Sequence, residues 1–460
     1  MMGKIGYWKT FMPEYGRLLR LGWPIMLSQL GVILLAFSDT LMVGHYGVGE
    51  LAASAFVNSL YLVCNVMLIG LCGGVTPLVG ALYSRGENRG VGRVTRAALQ
   101  VNGLAALLFT ILMIGVYFLL PYFGQEEGLM PLIKSYYLIL LPQPLLIAFF
   151  FTIMQTCNGV SMTSLPMYVT LVMVGFNILG NWLLIYGVGG FPELGLLGAG
   201  IATIAARIVA LGLLMTLFRC LRRFRSYQEG FLDGRGLKDM RRKVWVTSWP
   251  LMIQSGLECF LWSVGAVVVG WFGAVQLAAY QVVNTIGQLG FMIYMSFATA
   301  VTIRVANFAG LCDEEGAGRS ARAGLHINIL LATAASLLFI FTARWLITIF
   351  VNTDAGATDG AAVVASALTL VWPLVLYQYM DAVQLTMCNA IRGTSQVKPL
   401  MWISLISYVI VGVPMLLLFA VGFDMGNSGA YWSFNIALLA ASILAVWVFK
   451  RIRFEPCGES

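Results

Sequence analysis

Asp39, Glu258 and Asp381 each stand inside a long apolar run, where an ionised side chain is out of place. A carboxylate at bilayer depth costs on the order of a few kcal/mol, so such residues tend to face a cavity and mark an ion or substrate pathway. The other seventeen of the 20 Asp and Glu residues fall in segments that read as loops or tails.

The spacing around Glu258 and Asp381 suggests what chemistry they do. Glu258 has Gln254 at i−4, Ser255 at i−3 and Trp262 at i+4, so one helical face carries a carboxylate, two polar groups and an aromatic ring. Asp381 has Tyr377 at i−4 and Gln384 at i+3. If these faces converge they form a site for a small cation, and either a proton or Na+ can neutralise two close carboxylates. The alternative is that each acid is capped by a buried hydroxyl or amide for packing alone. Asp39, in Phe37-Ser38-Asp39-Thr40 near the outer end of its run, reads equally as an ion-coupling group and as a structural hydrogen-bond acceptor. Asn177 and Asn181, one helical turn apart, and Gln281 with Asn284 are further embedded amides that either line a cavity or bond helix to helix. Arg207, deep in another run, is either an internal counter-ion or a side chain snorkelling to an interface. Methionine (22 residues) and aromatics (12%) would also suit a soft cavity wall for a cation with an apolar body, although most serve packing and lipid contact.

These residues need a membrane scaffold, and composition supplies one. The chain is 59% hydrophobic and 10% charged, against about 25% charged in soluble domains. A helix needs roughly 20 apolar residues to cross the hydrocarbon layer. Such runs predict twelve spans near 19–44, 51–83, 94–119, 132–158, 164–187, 195–220, 244–270, 277–309, 320–349, 361–389, 398–422 and 428–449. The first follows an amphipathic stretch and continues at full length, so no cleavable signal is expected.

Charge sets the orientation. With the N-terminus in the cytoplasm, Lys4, Lys9, Arg17 and Arg20, the Arg85–Arg96 group, the run from Arg219 to Lys243, and Arg304, Arg319, Arg322, Arg392, Lys398, Lys450, Arg451 and Arg453 all lie inside. Only Lys134, Arg207 and Arg344 of the 28 Lys and Arg do not, while Glu50, Glu126, Glu127, Glu193, Asp354, Asp359 and Asp424 lie opposite. This is the positive-inside bias, and it predicts both termini in the cytoplasm. The net charge of +8 is then accounted for by orientation and anionic lipid headgroups; no nucleic-acid partner is expected.

The second half repeats the first at an offset of 226 residues: Trp23-Pro24 with Trp249-Pro250, Asn58 with Asn284, Thr76 with Thr302, Gly92-Arg93 with Gly318-Arg319, and Arg96-Ala97 with Arg322-Ala323. Six spans per half return the chain to the same side, so the copies run parallel, related by an axis along the membrane normal. The division expected is an N-terminal lobe over 1–220, a basic cytoplasmic linker over 221–243 and a C-terminal lobe over 244–460. The carboxylates do not follow the repeat. Asp39 aligns with Gly265 and Glu258 with Val32, so the lobes have different jobs.

Other classes lack their signatures. No GxxxxGK[ST] loop is present for ATP, and no His-rich or paired-acid catalytic motif points to an enzyme. Eight cysteines without CxxC spacing give neither a disulfide framework nor a zinc site, and no resident cofactor is expected.

Taken in order, several motifs resemble the multidrug and toxic compound extrusion (MATE) family, in its NorM-type branch, over essentially the whole chain. They are Ser38-Asp39-Thr40-Leu41-Met42-Val43-Gly44, Trp249-Pro250 with Glu258, Ala279-Tyr280-Gln281 and Tyr377-x-x-x-Asp381. Paired segments, Gln155-x-x-x-Gly159 to Pro166-Met167 and Asn389-x-x-Arg392-Gly393 to Lys398-Pro399, complete the set. The resemblance implies two six-helix bundles in a V-shaped, all-α transporter of a bacterial inner membrane, exporting amphipathic organic cations in exchange for Na+ or H+, and expected as a monomer. It also implies that Glu258 and Asp381 carry the coupling ion, with Tyr377 and Gln281 lining the same region and Asp39 as the acid of the other lobe. Proton-coupled relatives are similar but place a second acid on span five, where this chain has only Asn177 and Asn181. A flippase for lipid-linked saccharides, from a related branch, is the alternative; its cavity needs cationic residues for phosphate, and only Arg207 lies deep.

Overall fold

The computed structural model describes residues 4–350 and 358–454. Of the residues named above, Asp354 lies outside these ranges, as do the side chains of Lys4, Lys9 and Asp359; of the eight cysteines, Cys457 does too. Among the described residues the chain is helical, with no strand. The first half contains α1 (Lys4–Tyr46), α2 (Val48–Cys72), α3 (Val75–Ser84), α4 (Asn88–Leu119), α5 (Met130–Leu140), α6 (Gln143–Gly159), α7 (Ser164–Tyr186), α8 (Leu196–Cys220) and α9 (Arg225–Leu232). The second contains α10 (Leu237–Gly270), α11 (Ala274–Gly310), α12 (Glu314–Phe350), α13 (Thr358–Leu368), α14 (Val371–Gly393), α15 (Lys398–Ser404), α16 (Val413–Leu416) and α17 (Gly426–Arg451). Two π-helical stretches, Leu405–Gly412 and Leu417–Gly422, flank α16.

Among the described residues eleven helices are long and apolar enough to cross a membrane, and the pair α13 and α14, bent by 49° at its break, makes a twelfth when counted as one span. Only helices, which satisfy their own backbone polar groups, or closed barrels cross hydrocarbon. The chain is therefore a multi-pass, all-α membrane protein.

The molecule comprises two compact units, Leu27–Met252 and Met1–Met26 with Ile253–Ser460. The chain changes unit at Met26/Leu27 and again at Met252/Ile253, two residues after each repeated Trp-Pro, so the crossings obey the 226-residue offset. The basic segment 221–243 belongs to the first of these units. Its α9 packs on the start of α4: Arg96 donates to the carbonyls of Phe231 and Leu232 at 3.3 and 3.2 Å, and Arg89 reaches Glu229 at 3.3 Å.

The repeat recurs as hydrogen bonds inside each unit. Thr76 Oγ1 lies 3.1 Å from the Gln155 carbonyl and 2.9 Å from its Oε1. Thr302 Oγ1 meets Asn389 in the same two ways, at 2.8 and 3.0 Å. Asn102 donates to Thr152 at 2.8 Å, and Asn328 to Thr386 at 2.8 Å. The first partners differ by 226 and the second by 234, so the later copy is longer between them. Gly159 sits against Val79 and the Thr76 carbonyl, and Gly393 against Val305 and the Thr302 carbonyl. A side chain at either glycine would push these helices apart, which is why small residues mark close crossings in membranes.

The amphipathic start of α1 is not a tail. Phe11, Glu14 and Leu18 are buried and Tyr15 half-buried, the i, i+3, i+4, i+7 pattern of one docked face. Glu14 accepts from Arg304 Nε at 3.1 Å and Nη2 at 2.9 Å, from Ser320 Oγ at 2.7 Å, and from Arg17 at 2.8 Å. Tyr15 Oη lies 2.8 Å from His326 Nδ1. Reading Glu14 as one of the loop-and-tail acids therefore fails. Its segment is too polar to register as a span, yet it has a protein surface to pack on. Among the cysteines Cys64, Cys72, Cys157, Cys220, Cys259 and Cys388 are free thiols, whereas Cys312 is disulfide-bonded, which its spacing does not indicate.

Candidate functional site

Helix α14 carries a polar stripe through its apolar span. Tyr377, Asp381, Gln384, Cys388 and Arg392 follow at steps of four, three, four and four residues, which stacks them on one face. Asp381 and Gln384 are each 1% exposed. Gln384 Nε2 donates to Tyr408 Oη at 3.0 Å and contacts Cys388 Sγ at 3.6 Å. Tyr408 lies in the first π-helical stretch, where the widened turn moves it relative to an α-helical register.

Glu258, half-buried on α10, joins this stripe. It acts electrostatically on Asp381, on Tyr377 and Tyr408, and on Arg392. The two acids singled out by sequence thus share one cluster. Neither oxygen of Asp381 accepts a hydrogen bond from any described residue, and the same holds for Oε1 of Gln384 and of Gln254, which lies one turn before Glu258. Buried oxygens without protein donors are the groups a hard cation or a proton would satisfy. Trp262 packs edge-on against Tyr377 at 5.6 Å between centroids and lies 4.6 Å from Phe434, forming an aromatic wall beside the acids.

The other unit holds a separate cluster. Asn181 donates to Asp39 Oδ1 and lies 3.4 Å from Asn177 Oδ1, while Asn177 donates to Thr203 at 3.2 Å. Both asparagines are fully buried. Arg207 follows Thr203 by one turn on α8 and acts electrostatically on Asp39 and on Tyr136. Arg207 is half-buried, and its Nε is buried without a hydrogen-bond partner among the described residues.

Gln281 is exposed on α11, and its side chain makes no hydrogen bond among the described residues. Asn284 accepts from Tyr431 at 2.5 Å, tying α11 to α17. Sequence reasoning placed Arg392 among the cytoplasmic charges, yet it is half-buried beneath Cys388 with its Nε unsatisfied among the described residues. Its spacing from Tyr377 and Asp381 was the available signal. Thr203 and Arg207 offered a similar one; Tyr408 and Tyr136 offered none. Among the described residues, no three His, Cys, Asp or Glu side chains are grouped to hold a metal ion.

Comparison with known proteins agrees with this architecture. The chain is similar to the eukaryotic MATE transporter AtDTX14 (18% identity, TM-score 0.86, covering 96% of this chain and 97% of that one). It is also similar to VcmN, a MATE transporter of Vibrio cholerae (16%, 0.83, 96% and 98%), and to a MOP-superfamily transporter from Pyrococcus furiosus (16%, 0.84, 95% and 95%). At these identities the likeness establishes the fold. The family model described as MatE matches residues 24–183 and 250–418, most of both halves, and the chain belongs to that family of membrane transporters.

Proposed function

We propose that this transporter is a secondary active exporter of amphipathic organic cations, driven by entry of Na+ or H+, with the coupling ion on Glu258 and Asp381. The observation that carries the reading is the meeting of these acids in one cluster, with both Asp381 oxygens buried and unsatisfied among the described residues. Coupling ion and drug then compete for the same negative charge, and Trp262, half-buried against Tyr377 and Phe434, offers a ring to a bulky cation. Each charge moving down 100 mV supplies about 2.3 kcal/mol, enough with a concentration term to drive accumulation. The orientation proposed is both termini in the cytoplasm of a bacterial inner membrane, as a monomer among lipids, with no resident cofactor.

A lipid-linked-saccharide flippase is less well supported. Its phosphate needs free guanidinium groups, and Arg207 and Arg392 each face a carboxylate of their own unit. The test is uptake of a fluorescent cationic dye by proteoliposomes with Na+ and pH gradients imposed separately. Glu258→Gln or Asp381→Asn should each abolish gradient-driven transport at normal expression; wild-type rates in either would overturn the site.

A further inference from the structure

The start of α1 and the start of α10 hold equivalent places in the repeat, and they are fastened by different means. At the 226-residue offset Phe11 matches Leu237, Glu14 matches Met240 and Leu18 matches Val244, each set lying on one helical face. The surfaces they sit on correspond as well. Arg304 of α11 and Ser320 of α12 match Leu78 of α3 and Val94 of α4, and each start belongs to the same compact unit as its seat. At α10 all five positions are apolar: Val94 and Val244 are buried in one hydrophobic cluster, and Leu78, Leu237 and Met240 pack against it. At α1 three of the five are polar. Glu14, 5% exposed, accepts from Arg304 at 2.9 and 3.1 Å and from the buried Ser320 at 2.7 Å. Beside them Tyr15 Oη lies 2.8 Å from His326 Nδ1.

We propose that the start of α1 is a releasable latch, lifted from and re-seated on α11 and α12 in the folded protein, whereas the start of α10 stays seated. Lifting an apolar face into water costs free energy in proportion to the area exposed. Lifting Glu14 from Arg304 breaks an ion pair but hydrates both charges, and that hydration returns most of what the pair supplied. A buried pair therefore holds less tightly than apolar side chains of the same volume. Backbone bending does not separate the two helices, because Pro24 in α1 and Pro250 in α10 each remove one bond from the helical ladder at the equivalent place. The seat decides which start lifts. Weakening of this kind makes release of α1 about 10- to 100-fold more frequent than release of α10.

The experiment is hydrogen–deuterium exchange of the purified full-length protein, read by mass spectrometry over residues 10–22 and 236–248. In wild type the first segment should exchange about 10- to 100-fold faster than the second. Glu14→Met, Arg304→Leu and Ser320→Val together copy the seat of α10, and they should slow 10–22 to the rate of 236–248. Simple fraying of a helix start would not respond to that change. The reverse set, Met240→Glu with Leu78→Arg and Val94→Ser, should speed 236–248 by the same factor. Equal rates in the two wild-type segments overturn the latch without any variant, as does a 10–22 rate left unchanged by the triple substitution. These rates are read without substrate or coupling ion, so the latch and the exporter reading stand or fall separately.

Discussion

Replacing Glu14 by Gln tests whether the start of α1 is fastened to its unit or merely lies against it. The Glu14 side chain is 7% exposed and that of Arg304 14%, whereas Arg17 is 58% exposed. Losing one partner of a buried pair leaves the other charge uncompensated and costs about 3–5 kcal/mol. The exposed Arg17 contact contributes only about 0–1 kcal/mol. Arg304 also stacks over Phe308 at 4.7 Å, which holds the stranded guanidinium in place rather than freeing it to reach water. At about 2–4 °C per kcal/mol for a unit of this size, Glu14→Gln should lower the melting temperature by roughly 6–20 °C. Arg17→Gln should move it by a few degrees at most. The assay is thermal unfolding of the purified protein in one detergent at one heating rate, extended to a double-mutant cycle with Arg304→Gln. The two losses should overlap, because either mutation breaks the same pair. Replacing both residues by Leu should recover most of the stability. A Glu14→Gln protein within about 1 kcal/mol of wild type, or losses that simply add, would refute the reasoning.

Two further predictions follow from the repeat. Gly92 and Gly318 are equivalent in sequence, but a Cβ at Gly92 would meet backbone atoms of Tyr227 and Phe231, whereas one at Gly318 meets nothing within 4 Å. Gly92→Ala should therefore cost about 1–3 kcal/mol by lifting α9 from α4. Gly318→Ala should gain about 0.5–1 kcal/mol from helix propensity, and equal effects in thermal unfolding would contradict this. Ser161 and Ser395 follow the two crossing glycines with φ of +60° and +62°, a left-handed conformation that glycine adopts without steric cost. Ser161→Gly and Ser395→Gly should each stabilise by about 1 kcal/mol, and a lowered melting temperature in both would count against it.

What the sequence determined is what depends on local composition. Apolar run length set the helices, because backbone polar groups must be satisfied within each span. Charge bias set the expected orientation. The 226-residue offset set the repeat that reappears as Thr76 with Gln155 and Thr302 with Asn389. Glu258 and Asp381 were legible because an acid in an apolar run stands out against its neighbours. Tertiary structure decided which charges meet. Arg392 and Glu14 both looked like interfacial residues, since long polar side chains near span ends normally reach water. Only folding brought Glu14 to Arg304 and Ser320, and Arg392 within electrostatic range of Glu258. Charges far apart in sequence become partners through helix packing, and no one-dimensional spacing encodes that pairing.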